Sequence, residues 1–218
     1  HARALRAFFN FCVVEELLDE SPFRRVKMPK LPKLEPKAFS DDEVSKILDA
    51  CKTLRDRALV LLLLDTGIRI EEASKLLIGD VDKETVTVRS GKGAKYRVVF
   101  VGAKTRKAIL KYLGTDRKSS IPASPLFVTY DAPYKALTTS GLMQIMKRLR
   151  MATGIKHLLA HTFRRTFAIA SLRSGMAVHV LAKLMGHSDI QVLRAYLDIT
   201  KDDLKQQSAQ HGVVDHLK

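Results

Sequence analysis

Apolar residues recur at helical spacing through most of the chain, and the exceptions are as informative as the rule. Leu5, Phe8, Phe9, Cys12, Val13 and Leu17 share one face of residues 2–19, with Arg6, Glu15, Glu16 and Asp19 elsewhere. That spacing predicts an amphipathic helix, which reads as the last helix of a larger helical domain. Pro22, Pro29, Pro32 and Pro36 follow, alternating with Lys27, Lys30, Lys33 and Lys37, and predict an extended basic linker over 22–38. Ser40-Asp41-Asp42-Glu43 is a capping box that opens a helix to about Lys52. Further helices are predicted over Leu54–Asp65, which stops at Thr66-Gly67, and from Arg69 to about Leu77.

The period then changes from helical to alternating. Thr85-Val86-Thr87-Val88 and Arg97 to Val101 are β-branched and flank Gly91-Lys92-Gly93, which predicts a β-hairpin. Helical patterns resume over 103–113, 139–152, 162–174, 177–185 and 189–196, and a polar tail occupies 201–218. The expected fold class is therefore mainly α with a small antiparallel β-sheet (α+β).

Composition narrows the function. The longest apolar run, Ala58 to Leu64, is far shorter than the roughly 18 residues of a membrane-spanning helix. Two cysteines, Cys12 and Cys51, make neither a disulfide framework nor a zinc cluster. A cytoplasmic protein of a reducing compartment is expected, with no membrane partner. The net charge of +15 is unevenly held: residues 83–118 carry 11 basic and 2 acidic side chains, and residues 132–188 carry 9 basic and none acidic. Every other segment is close to neutral. A surface tuned only for solubility would mix the two signs, so the pattern points to a polyanion.

Several chemistries are absent from the sequence. There is no Walker A loop, no dinucleotide fingerprint and no nucleophile elbow. His157 and His161 have a zinc-like i, i+4 spacing, but no glutamate stands between them and no third ligand cluster is evident, so no metal is expected. What remains is a scatter of cations, histidines and one tyrosine. Arg69 follows the Thr66-Gly67 turn with Glu72 three residues on, which by itself is an ordinary surface pair. His161 and Arg164 fall on one face of a helix start, His187 lies at a helix boundary, and Tyr196 sits beside the apolar Val192 and Leu193. Taken singly, each has a plain structural explanation.

Taken in order, they resemble the catalytic domain of the tyrosine recombinases, the phage integrase family. Thr66-Gly67-Ile68-Arg69-Ile70-Glu71-Glu72 is similar to the first arginine box, and Gly91-Lys92-Gly93-Ala94-Lys95 to the lysine turn. His161-Thr162-Phe163-Arg164 matches the His-x-x-Arg box, and Leu184-Met185-Gly186-His187-Ser188 the second histidine box. Tyr196 stands where the family places its nucleophile. Arg165 replaces a common histidine, and Val192-Leu193 replace frequent threonines, but no catalytic group is lost.

The resemblance implies catalytic roles for Arg69, Lys92, His161, Arg164, His187 and Tyr196, with Glu72 buttressing Arg69 and Lys95 as a rival to Lys92. Arg89, Lys95, Arg97 and Arg165 are the expected DNA contacts. The implied reaction is cleavage and rejoining of double-stranded DNA through a 3′-phosphotyrosyl link, with no cofactor, no ATP and no small-molecule substrate. The implied assembly is a homotetramer on two recombination sites when full length. The implied division is 1–21 from a truncated core-binding domain, 22–38 linker, 39–200 catalytic domain and 201–218 a helical tail able to dock in trans. A prokaryotic or mobile-element origin is expected. Two other readings stay open at this point: a non-catalytic DNA-binding protein on the same fold, and a type IB topoisomerase-like enzyme.

Overall fold

The computed structural model describes residues 2–26, 37–89, 96–117, 121–131 and 133–186. The chain divides into two compact units, His1–Glu35 and Pro36–Lys218. In the first unit, helix α1 spans Ala2–Val14, shorter than the 2–19 expected. It ends early because Glu16 takes a left-handed φ of 57°, and the Leu17 N–H turns back to donate to the Cys12 carbonyl. Leu5, Phe8, Phe11, Val14 and Leu17 are exposed.

The second unit opens on α2 (Asp41–Asp49), where the expected capping box is formed: Ser40 Oγ accepts from Glu43 N, and Glu43 accepts from Ser40 N. Helix α3 (Leu54–Thr66) is the centre of the core. Ala58, Leu59, Val60, Leu62 and Leu63 are all fully buried, so α3 has no solvent face of the usual kind. It packs against α5 (Ala103–Tyr112) and α7 (Ala160–Arg173). Helix α6 (Thr139–Thr153) and the single turn α4 (Ile70–Ala73) cover another side.

Helix α4 was expected to run to about Leu77 and stops after Ala73. The backbone beyond it has other partners: Leu126 N donates to Leu76 O, Ile78 N to Ser124 O, and Leu77 N to the Asp80 carboxylate. Those bonds draw residues 76–78 out of the helix and against residues 124–126.

The sheet is a two-stranded antiparallel pair, β1 (Thr85–Arg89) and β2 (Tyr96–Phe100), registered Val86↔Val99 and Arg89↔Tyr96. Val86, Val88 and Val99 face the core, while Tyr96, Val98 and Phe100 face outward. The mainly helical fold with one small sheet is thus as the sequence indicates. The turn at 90–95, with Lys92 and Lys95, and the segment from residue 187 onward, with His187, Tyr196 and the tail, lie outside the described residues. Helix α8 (Val178–Met185) packs through Leu181, Ala182 and Met185 onto Ala168 of α7. Among the described residues no helix is long and apolar enough to cross a membrane.

Candidate active site

The first arginine is aimed by the turn that ends α3. Thr66 Oγ1 donates to Leu62 O at 2.6 Å, and Gly67 caps the helix with a φ of 58°. A Cβ on Gly67 would lie 2.3 Å from Phe167 Cδ1, so only glycine lets this turn close on α7. Ile68 is buried as an anchor, and Arg69 emerges next to it with its side chain 46% exposed. The Arg69 N–H donates to Glu72 Oε2 at 2.7 Å, and Arg69 Nη1 to Glu72 Oε1 at 3.3 Å. The pairing of Arg69 with Glu72 that spacing suggested is present.

The second arginine behaves differently. Arg164, four residues into α7, is only 7% exposed. Its Nη1 donates to the Gly67 carbonyl and its Nη2 to the Met185 carbonyl, both at 2.6 Å. One guanidinium therefore ties the Arg69 turn to the end of α8, where the second histidine box begins. Three separate boxes meet on this one side chain.

His161 lies in the first turn of α7, exposed, three residues before Arg164 and so on the same face. The turn ahead of it is held by Thr162 Oγ1, which donates to His157 O at 2.6 Å. His157 precedes α7 and sits 3.3 Å from Glu43, so the zinc-like His157/His161 spacing is not carried by a helix. Among the described residues no cluster of histidine, cysteine or carboxylate could hold a metal.

Arg97 is where the structure departs most from expectation. The resemblance groups it with the DNA contacts, but its side chain is only 14% exposed and its guanidinium is turned into the protein. Nη1 and Nη2 grip both oxygens of Glu72, at 2.8 and 2.6 Å, and Nε donates to Leu184 O at 2.8 Å. The period-two alternation carried the signal: Arg97 shares the strand face of the buried Val99, not that of the exposed Tyr96 and Val98. Gly186, left-handed at the end of α8, sits so close that a Cβ there would meet Arg97 Nη1 at 3.0 Å.

Arg89 leaves β1 and pairs with the buried Asp80 carboxylate, through Nε at 3.0 Å and Nη2 at 2.6 Å, while half of its side chain stays exposed. Asp80 also accepts from Leu77 N, and nothing in its local sequence marked it out. The two strands that lead into the lysine turn are thus each pinned at the base by an Arg–carboxylate pair. Arg165 is partly exposed, with Nη1 3.5 Å from Lys37 O.

Electrostatics follow from these contacts. Burial on its own would raise the Glu72 carboxyl pKa, but the Arg97 hydrogen bonds, the Arg69 N–H and the two guanidinium charges outweigh it, leaving the group below its ordinary 4.5. Glu72 is therefore a carboxylate at working pH, shared by two arginines.

Comparison with known proteins identifies the family. The Phage integrase family profile matches residues 37–203. The chain is 36% identical over 186 residues to the tyrosine recombinase XerA of Saccharolobus solfataricus, a match covering 84% of this chain and 59% of that protein. The chain thus spans somewhat more than half of that relative's length. A crystal structure of XerA recombinase superposes with a TM-score of 0.70 at 27% identity, covering 95% of this chain and 74% of the other. A XerH site-specific recombinase bound to palindromic difH substrate, in a post-cleavage complex, shares the fold with a TM-score of 0.66 at 21% identity, covering 88% and 57%. The chain belongs to the phage integrase family, the tyrosine recombinases, which break and rejoin DNA.

Proposed function

We propose that this chain is the catalytic part of a site-specific recombinase acting on double-stranded DNA through a covalent phosphotyrosine. The Tyr196 hydroxyl attacks the scissile phosphorus and its proton passes to His161. The phosphorus–5′-oxygen bond breaks, and the leaving 5′-oxygen takes a proton from Lys92, with Lys95 the alternative donor. A 5′-hydroxyl of a second strand then reverses the step, so the bond energy is kept in the phosphotyrosine and ATP is not needed. The transition state gathers charge on the non-bridging oxygens. The forked, permanently charged guanidinium groups of Arg69 and Arg164 suit those oxygens, and His187 adds a hydrogen bond. Arg89, Lys95 and Arg165 serve the flanking DNA backbone.

The observation that carries this reading is the Arg164 bridge: it donates to Gly67 of the Arg69 turn and to Met185, two positions before His187 in the sequence. A fold with no use for these boxes together has no reason to lock them onto one buried cation. The division expected from the sequence completes the reading: 1–21 from a core-binding domain, 22–38 linker, 39–200 catalytic, 201–218 docking in trans within a cytoplasmic homotetramer on two sites.

The test is a nicked suicide substrate incubated with the intact protein. A covalent DNA adduct that disappears in Tyr196→Phe supports the mechanism. No adduct, or one that survives Tyr196→Phe, defeats it. Exchange between two sites, rather than relaxation of one supercoiled plasmid, separates a recombinase from a topoisomerase.

A further inference from the structure

Glu72 carries one negative charge and has two arginines on it, and they do not share it equally. Arg97 holds both oxygens through a short fork, at 2.8 and 2.6 Å, with both side chains largely buried. Arg69 makes one side-chain contact, at 3.3 Å, and keeps nearly half of its side chain in solvent. The bidentate, desolvated pair is the stronger one. The carboxylate is therefore committed to Arg97, and the Arg69 guanidinium points outward with its charge largely uncancelled.

We propose that Arg97 is a positioning residue for the DNA-cleavage reaction: by occupying the Glu72 carboxylate it leaves the Arg69 guanidinium available to the scissile phosphate. This rests on the reading of Arg69 as a phosphate ligand. Without Arg97, a largely buried carboxylate is left beside Arg69, three residues away on the same turn. Glu72 then draws Arg69 into a fork of its own, folds it down onto α4 and competes with the phosphate for it. A carboxylate and a phosphate oxygen make the same demand on a guanidinium, so whichever is not otherwise satisfied wins. The surroundings are built for this arrangement. The Gly186 backbone leaves space that a Cβ would take from the Arg97 guanidinium, and Arg97 Nε is steered by the Leu184 carbonyl.

The experiment compares Arg97→Ala, Glu72→Gln and the double variant R97A/E72Q in the intact protein. The readouts are the single-turnover rate of adduct formation on the nicked substrate and the melting curve of each variant. Gln at 72 still accepts the Arg69 N–H, so the helix cap survives while the competing charge is removed. We expect R97A to slow cleavage about 100-fold, the scale for losing one transition-state donor, and E72Q added to it to recover at least about tenfold. A purely structural role for Arg97 gives no such rescue, because the Leu184 carbonyl has lost Arg97 in both variants. R97A cleaving like wild type, or R97A/E72Q no faster than R97A, overturns the inference while leaving the recombinase reading intact. Wild type that forms no adduct defeats that reading instead. Should R97A not fold, R97K with and without E72Q makes the same comparison, with a smaller slowing that E72Q relieves.

Discussion

Replacing Arg164 with lysine tests whether this residue matters as a charge or as a fork. Lysine keeps the positive charge, and a site that needed only charge would tolerate it. The structure says otherwise, because Nη1 and Nη2 reach two carbonyls from two different elements, Gly67 and Met185, each at 2.6 Å. One ammonium on a flexible stem can serve one of them. A hydrogen bond from a charged donor is worth about 1.5–3 kcal/mol, and a carbonyl left unpaired in the interior costs a comparable amount. The predicted loss for R164K is then about 2 kcal/mol, or roughly 4–8 °C in Tm for a chain of this size. The catalytic loss is additional. Releasing either carbonyl lets the Arg69 turn and the end of α8 move apart, and losing one forked donor at a charged transition state costs about 100-fold in rate. Differential scanning calorimetry gives the first number, and single-turnover adduct formation at a temperature where both proteins are folded gives the second. An R164K protein that melts within 1 °C of wild type and cleaves within about threefold of it would refute the reasoning.

Two further outcomes follow from the same geometry. Gly67→Ala places a side chain at a φ of 58° and a Cβ 2.3 Å from Phe167 Cδ1, so it should cost about 2–4 kcal/mol. Calorimetry should show part of that loss relieved when Phe167→Ala is added, which removes the clash but not the backbone strain. The Glu72 pKa is held below 4.5 in the folded state, so its contribution to stability is complete above the unfolded value and is lost as pH falls through the folded one. The gap in Tm between wild type and E72Q should therefore be constant near neutrality and shrink as pH drops below 4.5; a gap that widens in acid would contradict the sign.

Much of this was legible in the sequence, for reasons that can be stated. The Ser40 capping box is written in four consecutive residues, and the alternation of Thr85 to Val88 belongs to one strand, so local rules suffice for both. Helix α4 was misjudged because its end is decided by Ser124 and Leu126, whose carbonyl and N–H claim the backbone of residues 78 and 76 from a distance in sequence. Arg97 was misjudged because a basic segment invites the reading that each cation faces a polyanion. Its strand parity with Val99 argued the opposite, but the acceptors, Glu72 and Leu184, lie on other elements and no local pattern names them. Asp80 was missed for the same reason, since its ion pair with Arg89 crosses from one element to another.

The excess charge acquires a finer structure from these contacts. Arg89, Arg97, Arg148 and Arg164 all come from the two basic segments, and all donate to acceptors within the protein: Asp80, Glu72, Asp56 and backbone carbonyls. Lys104, Lys107, Lys111, Lys147, Lys156 and Lys183 belong to the same segments and are exposed. The two most buried of these arginines, Arg97 and Arg164, fit the chemistry of the guanidinium, while Arg89 and Arg148 keep more than half of their side chains exposed. A guanidinium is weakly hydrated, stays charged when buried and offers donors in several directions, so it can brace two elements at once. An ammonium is strongly hydrated and costs more to bury, so it stays at the surface and supplies the long-range attraction to phosphates. The net charge of +15 is therefore not one cradle of equivalent cations. Lysines supply the surface charge, while the buried Arg97 and Arg164 brace the Arg69 turn, Glu72 and the end of α8. In such a site the loss of one internal arginine should damage folding and catalysis together, whereas loss of one surface lysine should weaken DNA association and leave the catalytic geometry alone.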